Sequence, residues 1–351
     1  MSKVVVGMSG GVDSSVATAL LKEQGYEVVG MTIRVKPADD SNDDIRVAQS
    51  VADKLGIAHH TVDCRDLFVR KVVDHFCSEY SRGRTPNPCV RCNEYVKFDA
   101  LLKKALEMDA EFVATGHYAR IERLGKSGRY QLKKGSDGGK DQSYFLYFFQ
   151  RDIMERVLLP LGKMKKEDVR KIARSLGLAS ADREESHDVC FVAKGDYRGF
   201  VGARMPQASE PGPILDRQGN VLGRHRGILS YTVGQRKGLR LSYDEPQYVL
   251  AIDAGRNAIV VGDKAEVYGD ELVASTLNWI EFGVLEQPIE VKAKIRYRHR
   301  EGDAVVTPLP GGEALVKFTQ PQMAITPGQA VVFYRGSIVV GGGTIERVGG
   351  I

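Results

Sequence analysis

Cys89 and Cys92 stand three residues apart in the proline-bounded stretch TPNPCVRCN (85–93), so both thiols can reach one centre. That spacing serves zinc binding, redox exchange or an iron–sulfur cluster, and alone it does not choose among them. Cys190, in EESHDVCFV, is either a buried small hydrophobe or a further partner for the pair, whereas Cys64 and Cys77 fit packing positions at a strand end and on a helix face. A second chemical feature lies near the start, where VVVGMSGGVDSSVATALL (4–21) runs from an apolar block through Ser9, Gly10 and Gly11 directly into helical spacing. Unpaired backbone N–H groups and the positive end of the dipole attract anions at such a helix start. Glycines admit a ligand close to the backbone, and Ser9, Ser14 and Ser15 can donate to phosphate oxygens. The lysine of a Walker A loop is missing. Asp13 is either a cap carboxylate of the first helical turn or a magnesium or loop-ordering ligand.

The elements that must hold these residues follow from hydrophobic spacing. KVVVGM (3–8) reads as a strand buried on both faces, Val12, Val16 and Leu20 recur at helical spacing, and EVVGMTIRV (27–35) returns to strand composition. Helices are expected over 44–55, 65–81, 94–107 and 163–178, with strands near 59–63 and 111–121. This alternation predicts an α/β fold, a doubly wound parallel sheet whose ligands bind beyond the carboxyl ends of the strands. Ser9, Ile33 and Gly116 lie at such ends. After about residue 200, Gly and Pro turns separate short alternating runs, which is all-β composition. The expected division is 1–199 for the α/β domain, 200–267 for a small β domain and 268–351 for a C-terminal β-barrel.

With 351 residues, 42% hydrophobic and 27% charged, the chain has the composition of a globular protein of several domains. No apolar run reaches the roughly 18 residues of a membrane span, and the N-terminus lacks a signal-peptide pattern, so a cytoplasmic protein without a membrane partner is expected. Five cysteines, an odd count in a reducing compartment, argue against a disulfide framework. The formal charge of +5 permits a nucleic-acid partner without requiring one. VKAKIRYRHR (291–300) sharpens that point, because Lys292, Lys294, Arg296, Arg298 and Arg300 recur at period two. On a strand they would form one cationic stripe, opposite Val291, Ala293 and Ile295. RNA phosphates fit it. Lys166, Arg170 and Arg174 similarly form a cationic ridge on a helix, partly offset by Glu167 and Asp168. The acidic run 39–44 reads as a solvated loop.

The pattern SGGVDS resembles the pyrophosphate-binding loop of ATP pyrophosphatases. Taken in order, GMSGGVDSS, TPNPCVRCN, ATGHYARI, KDQSYFLY, DVCFV and YTVGQRKGL resemble the tRNA-specific 2-thiouridylase family over nearly the whole chain. The resemblance implies an ATP pyrophosphatase-type domain, a central β domain and a C-terminal β-barrel. It also implies ATP-dependent thiolation of C2 of the wobble uridine in tRNA, with ATP and Mg2+ as cofactors and a sulfur-donor protein as a second partner. Cys92 corresponds to the family nucleophile and Cys190 to the persulfide carrier. Gly7, Met8, Ser9, Gly10, Gly11, Val12, Asp13, Ser14, Ile33 and Gly116 correspond to ATP contacts. Asn87, Pro88 and Cys89 sit where the target base is contacted. His117, Lys140, Asp141, Gln142 and Gln329 match tRNA-contacting positions, to which the basic run adds Arg296, Tyr297 and Arg298; for His117, contact with the phosphates or a satisfied strand-end role stays open. One position departs from the family pattern, since Cys89 stands where aspartate is usual. Cys89, Cys92 and Cys190 are thereby also candidate ligands of a [4Fe-4S] cluster with one open iron.

Overall fold

The structure is a computed structural model that describes residues 1–35, 43–125, 128–181, 183, 189–192, 196–241 and 245–349. The first four residues of the acidic run 39–44 lie outside the described residues. In chain order the first half contains β1 (Lys3–Gly7), α1 (Val12–Glu23), β2 (Glu27–Arg34), α2 (Asp43–Leu55) and β3 (Ala58–Asp63). Then come α3 (Arg65–Phe68), a wide-turn stretch Val69–Val73, α4 (Asp74–Ser81), α5 (Pro88–Cys92), a second wide-turn stretch Asn93–Phe98 and α6 (Asp99–Glu107). They are followed by β4 (Phe112–Ala114), β5 (Ala119–Leu124), β6 (Arg129–Lys134), α7 (Arg151–Met154), β7 (Val157–Leu158) and α8 (Lys166–Ser175). Among the described residues no helix is long and apolar enough to cross a membrane.

The chain divides into two compact units. The first comprises Met1–Val72, Cys89–His187 and Ser337–Val339. Its centre is a parallel sheet in the order β3-β2-β1-β4-β7, with Val4, Val5 and Val6 of β1 removed from solvent between β2 and β4. Each such valine contributes about 1.5 kcal/mol or more on burial, which explains a run of β-branched residues without polar alternation. Val12, Val16 and Ala17 of α1 pack with Ala48, Val51 and Ala52 of α2 and with Val169 and Ala173 of α8. The strand expected over 111–121 is two strands. β4 ends at Ala114, and β5 pairs antiparallel with β6 in a different sheet. The break is set by Gly116, where a Cβ would lie 2.7 Å from the backbone of Asp13 and Ser14. The chain must therefore leave the sheet there to pass the start of α1.

The second unit comprises Val73–Pro88, Asp188–Gly336 and Val340–Ile351. It contains α9 (Tyr197–Gly202) and a four-stranded sheet of β8 (Gly212–Leu215), β9 (Val221–His225), β10 (Tyr248–Asp253) and β11 (Ala258–Gly262), ordered β10-β11-β8-β9. The remaining strands are β12 (Tyr268–Trp279), β13 (Ile289–Lys294), β14 (Gly302–Leu309), β15 (Glu313–Met323), β16 (Ala330–Arg335) and β17 (Ile338–Val348). They run β12-β15-β14-β13-β16-β17, and pairing of β12 with β17 closes a six-stranded barrel. Leu272, Val291, Ala293, Val306, Val316, Phe333 and Ile345 fill its core. Full closure leaves the barrel no open edge.

Candidate functional site

Every hydroxyl and glycine of the first loop has a defined local task. Gly10 adopts φ +73°, the left-handed region that favours glycine, and a Cβ there would lie 2.5 Å from the Asp44 carbonyl oxygen. Gly11 caps α1 in extended conformation without a side-chain cap, so the first N–H groups of the helix have no local acceptor from that residue. The Ser9 N–H donates to Ser14 Oγ at 3.1 Å, while the Ser14 and Ser15 hydroxyls donate to the Gly11 carbonyl at 3.1 and 2.9 Å. The loop is thus preformed, with Gly7 and Ile33 at the carboxyl ends of β1 and β2.

Asp13 organises this region. Its carboxylate accepts from Lys166 Nζ at 2.7 Å on both oxygens and from the Tyr118 hydroxyl at 2.7 Å. That is the arrangement of a loop-ordering group. Lys166 is buried, so the expected ridge of Lys166, Arg170 and Arg174 does not form as a unit: the first turn of α8 faces α1, and its lysine serves the loop. Arg183 adds a second cation, donating to the Gly10 carbonyl at 3.2 Å and pairing with Asp44 at 3.0 Å. Sequence reasoning missed Lys166, Tyr118 and Arg183 in this role. Lys166 has a visible signal, since it stands three and seven residues before Val169 and Ala173, on the packed face of α8, where a lysine needs a buried partner; Arg183 has none.

His117 lies just past Gly116. Its Nδ1 is 2.8 Å from Thr115 Oγ1, and its ring packs 5.9 Å from that of Phe98. Burial, with a smaller push from the Lys97 charge, lowers its pKa to about 3, so the imidazole is neutral near pH 7. It can exchange a hydrogen bond with a ligand but offers no positive charge. The neighbouring motif is occupied internally. Asp141 is buried and accepts from the Gly135 and Ser143 N–H groups and from the Ser143 hydroxyl, Gln142 Oε1 accepts from the Tyr118 N–H, and the Lys140 N–H donates to Asp137.

In the same unit, Cys89 and Cys92 lie at the i and i+3 positions of the short helix α5, on one face. Cys89 is exposed and Cys92 buried. The wide turn that follows begins at Asn93, whose Oδ1 is buried with no hydrogen-bond partner among the described residues. Wide turns and unsatisfied buried polar atoms both concentrate at functional positions. Burial raises the Cys64 and Cys77 pKa values, which fits inert packing thiols.

In the second unit Cys190 is exposed, and its neighbour Phe191 packs against Phe76 and Phe200, with ring centroids at 5.3 and 5.4 Å. Among the described residues no group of three His, Cys, Asp or Glu side chains is arranged to hold a metal ion. The expected five-residue stripe is shorter than its period suggested. β13 ends at Lys294, and the His299 N–H donates to the Arg296 carbonyl in a turn, so only Lys292 and Lys294 share a strand face. Val291, Ala293 and Ile295 do pack inward. Lys292 pairs with Asp303 at 2.7 Å, and the Arg296 guanidinium donates to the Ala324 carbonyl and to Thr326 Oγ1. Tyr297 is half-buried in the turn, whereas Arg298 and Arg300 are exposed. Gln329 donates to the Thr85 carbonyl at 2.8 Å and to the Pro86 carbonyl at 3.5 Å, close in sequence to Asn87 and Pro88.

Comparison with known proteins agrees in extent with these elements. A family described as the tRNA methyl transferase HUP domain matches residues 2–194, a tRNA methyl transferase PRC-barrel domain matches 198–263, and an aminomethyltransferase beta-barrel domain matches 269–345. The tRNA-specific 2-thiouridylase MnmA 2 of Caldanaerobacter subterraneus subsp. tengcongensis is 51% identical over 358 residues, covering 99% of this chain and 98% of its own length. The tRNA-specific 2-thiouridylase MnmA of Heliobacterium modesticaldum is 49% identical, covering 98% and 92%. A solved U34-tRNA thiolase, NcsA from Methanococcus maripaludis with its [4Fe-4S] cluster, aligns over 59% of this chain and 65% of its own at 18% identity and TM-score 0.37, too distant to inform the site. Matched from the first strand to the last barrel strand, and sharing about half its residues with such relatives, the chain belongs to the tRNA-specific 2-thiouridylase family.

Proposed function

We propose that the protein is a tRNA-uridine 2-sulfurtransferase, which uses ATP to replace the C2 oxygen of the wobble uridine by sulfur and releases AMP and pyrophosphate. One observation carries this reading beyond family membership. The compact unit that holds a preformed anion seat, flanked by Lys166 and Arg183, also holds two thiols on one helix face. The uridine C2 carbonyl is a poor electrophile with a poor leaving oxygen. Transfer of AMP to that oxygen makes it a leaving group, and a sulfur nucleophile, ionised near neutral pH, then displaces AMP.

The ATP phosphates fit the N–H groups of α1, to which Gly11 offers no side-chain cap and beside which Ser9, Ser14 and the two cations lie, while Gly10 and Gly116 let the loop fold closely on its own backbone. Gly7, Met8, Val12 and Ile33 complete the nucleotide contacts. Mg2+ accompanies the phosphates; Asp13 is already engaged by Lys166 and Tyr118, which supports its role in ordering the loop. Cys92 acts as the nucleophile and Cys190 carries the sulfur delivered by a donor protein. Asn87, Pro88 and Cys89 face the target base, and Arg298 belongs to the RNA-contacting surface.

A second reading of the sulfur carrier is favoured by the third thiol. Cys89 shares a helix face with Cys92; no three such ligands are grouped among the described residues, and were Cys190 to join the pair the three would hold a [4Fe-4S] cluster, which would supply an open iron for a sulfide. Iron and sulfide analysis of anaerobically purified wild type and Cys89→Ala separates the two: an iron-free, active protein establishes the persulfide route. For the reaction itself, protein incubated with ATP, a sulfur donor and unmodified tRNA is expected to form 2-thiouridine and AMP, and Cys92→Ser to form none. ATP consumption without tRNA would indicate a small-molecule adenylating enzyme, and RNA binding without ATP consumption a regulator.

A further inference from the structure

Where β1 hands over to the nucleotide loop, the backbone around Met8 is held by β2. The Met8 N–H donates to the Met31 carbonyl at 2.8 Å, extending the ladder by one rung, and the Met8 carbonyl accepts from Thr32 Oγ1 at 2.8 Å. Across the same peptide plane the Ser9 N–H donates to Ser14 Oγ, so turning the Met8–Ser9 peptide would turn a donor of the loop. Thr32 is buried, and its hydroxyl also lies 2.9 Å from His59 Nε2 on β3. Gly30, opposite His59 in the parallel register, makes the contact possible: a Cβ there would meet Met8 Sδ at 2.5 Å and the His59 ring at 3.1 Å. On the other side of the ring, Nδ1 is 2.9 Å from Gln49 Oε1. Gln49 Nε2 donates to Asp53 at 2.8 Å, which keeps the amide oxygen turned toward the histidine.

A hydroxyl has one proton, and here two acceptors compete for it. With Gln49 Oε1 facing Nδ1, the neutral ring carries its proton there and leaves Nε2 as an acceptor, which draws the Thr32 proton away from the Met8 carbonyl. The protonated ring donates from both nitrogens, so Nε2–H points at Thr32 Oγ1 and the hydroxyl proton is released to Met8. We propose that Thr32 and His59 are positioning residues for the nucleotide: the proton on His59 decides whether Thr32 fastens the Met8–Ser9 peptide at the mouth of the phosphate loop. A hydrogen-bond chain that starts from a cation is stronger than its separate bonds, and a loop already fixed loses less freedom when phosphates bind. Asp53 on α2 and His60 on its own strand are the charged groups that face His59, while β1 and β2 bring the uncharged Met8, Gly30 and Thr32. Burial, then the His60 charge, lowers the His59 pKa below the ordinary 6.5 against a smaller pull from Asp53, so fastening grows as pH falls beneath that value. The inference rests on the reading of this loop as the ATP seat.

The test is binding of α,β-methylene ATP, which resists cleavage between the α and β phosphates, measured by calorimetry from pH 7.5 to pH 5. The terminal phosphate titrates in the same range, and Thr32→Val, which keeps the shape without the hydroxyl, supplies that baseline. Relative to it, the affinity of the wild type and of Thr32→Ser is expected to rise about fivefold on acidification. His59→Gln has no titrating ring and should lack this added rise, which lets it decide alone should Thr32→Val fail to fold. By linkage, the bound analogue should raise the His59 pKa, read from its imidazole C–H resonances, by about 0.7, the logarithm of that factor. A wild-type profile parallel to those of Thr32→Val and His59→Gln, or a His59 titration indifferent to the analogue, would overturn the proposal. No binding by any of these proteins at any pH would overturn it differently, by removing the nucleotide seat itself.

Discussion

At the residue scale the nucleotide loop depends on one ion pair with little access to solvent. Lys166 neutralises Asp13 and Arg183 neutralises Asp44, so neither carboxylate beside the loop is left to repel a phosphate. Lys166→Met leaves the Asp13 carboxylate without its countercharge; thermal denaturation is expected to register a loss on the order of 2 kcal/mol, and kinetics a raised KM for ATP. Lys166→Arg should restore much of the stability. His117 sets an acid limit of a different kind. Its folded pKa of about 3 lies below the ordinary value of 6.5, so the unfolded chain takes up a proton first as pH falls. Stability is full above pH 6.5 and is lost progressively toward pH 3, by about 2 kcal/mol at pH 5 from this group alone. Urea unfolding at pH 7 and pH 5 should therefore show a larger difference for the wild type than for His117→Gln.

At the scale of elements, what was legible in the sequence had a period, and what was hidden depended on contact. β1 and α1 were readable because Val4 to Val6 and Val12, Val16 and Leu20 state their environments in their spacing. The glycines and serines between them read as a phosphate seat for the same local reason. The strand over 111–121 was read as one because nothing local to ATGHYARI reveals that Gly116 must slip past the backbone of Asp13. Likewise, alternation of basic residues over 292–300 continues through the end of β13, since a strand and a turn can carry the same pattern until a long-range partner such as Thr326 bends the chain. The two arginines of that turn are accordingly expected to differ. Arg298→Ala should reduce the salt dependence of tRNA binding by about one unit of slope, measured by titrating Kd against salt. Arg296→Ala should loosen the 324–329 loop, seen as faster amide exchange there, with a smaller change in slope.

At the scale of the molecule, linear domain boundaries and compact units are different things. Residues 73–88 lie early in the chain yet pack with 188–336 and 340–351. Phe76 meets Phe191 edge to face, Tyr80 lies tilted against Tyr197, and Arg84 reaches Glu346. A fragment of residues 1–199 retains the aromatic partners and Glu79 but lacks Glu346, the other ion-pair partner of Arg84, and Pro327 and Gln329, which bond Thr85. Trypsin is expected to cut it after Arg82 and Arg84 roughly tenfold faster than the full chain, with cleavage followed by mass spectrometry. The same ties bear on how such proteins can be recombined. A C-terminal barrel borrowed from a relative brings its own counterparts of Pro327, Gln329 and Glu346, and these must recognise a stretch of backbone encoded some 240 codons upstream. A working hybrid therefore has to import residues 79 to 86 along with the barrel, because the two form one inherited module written in two places.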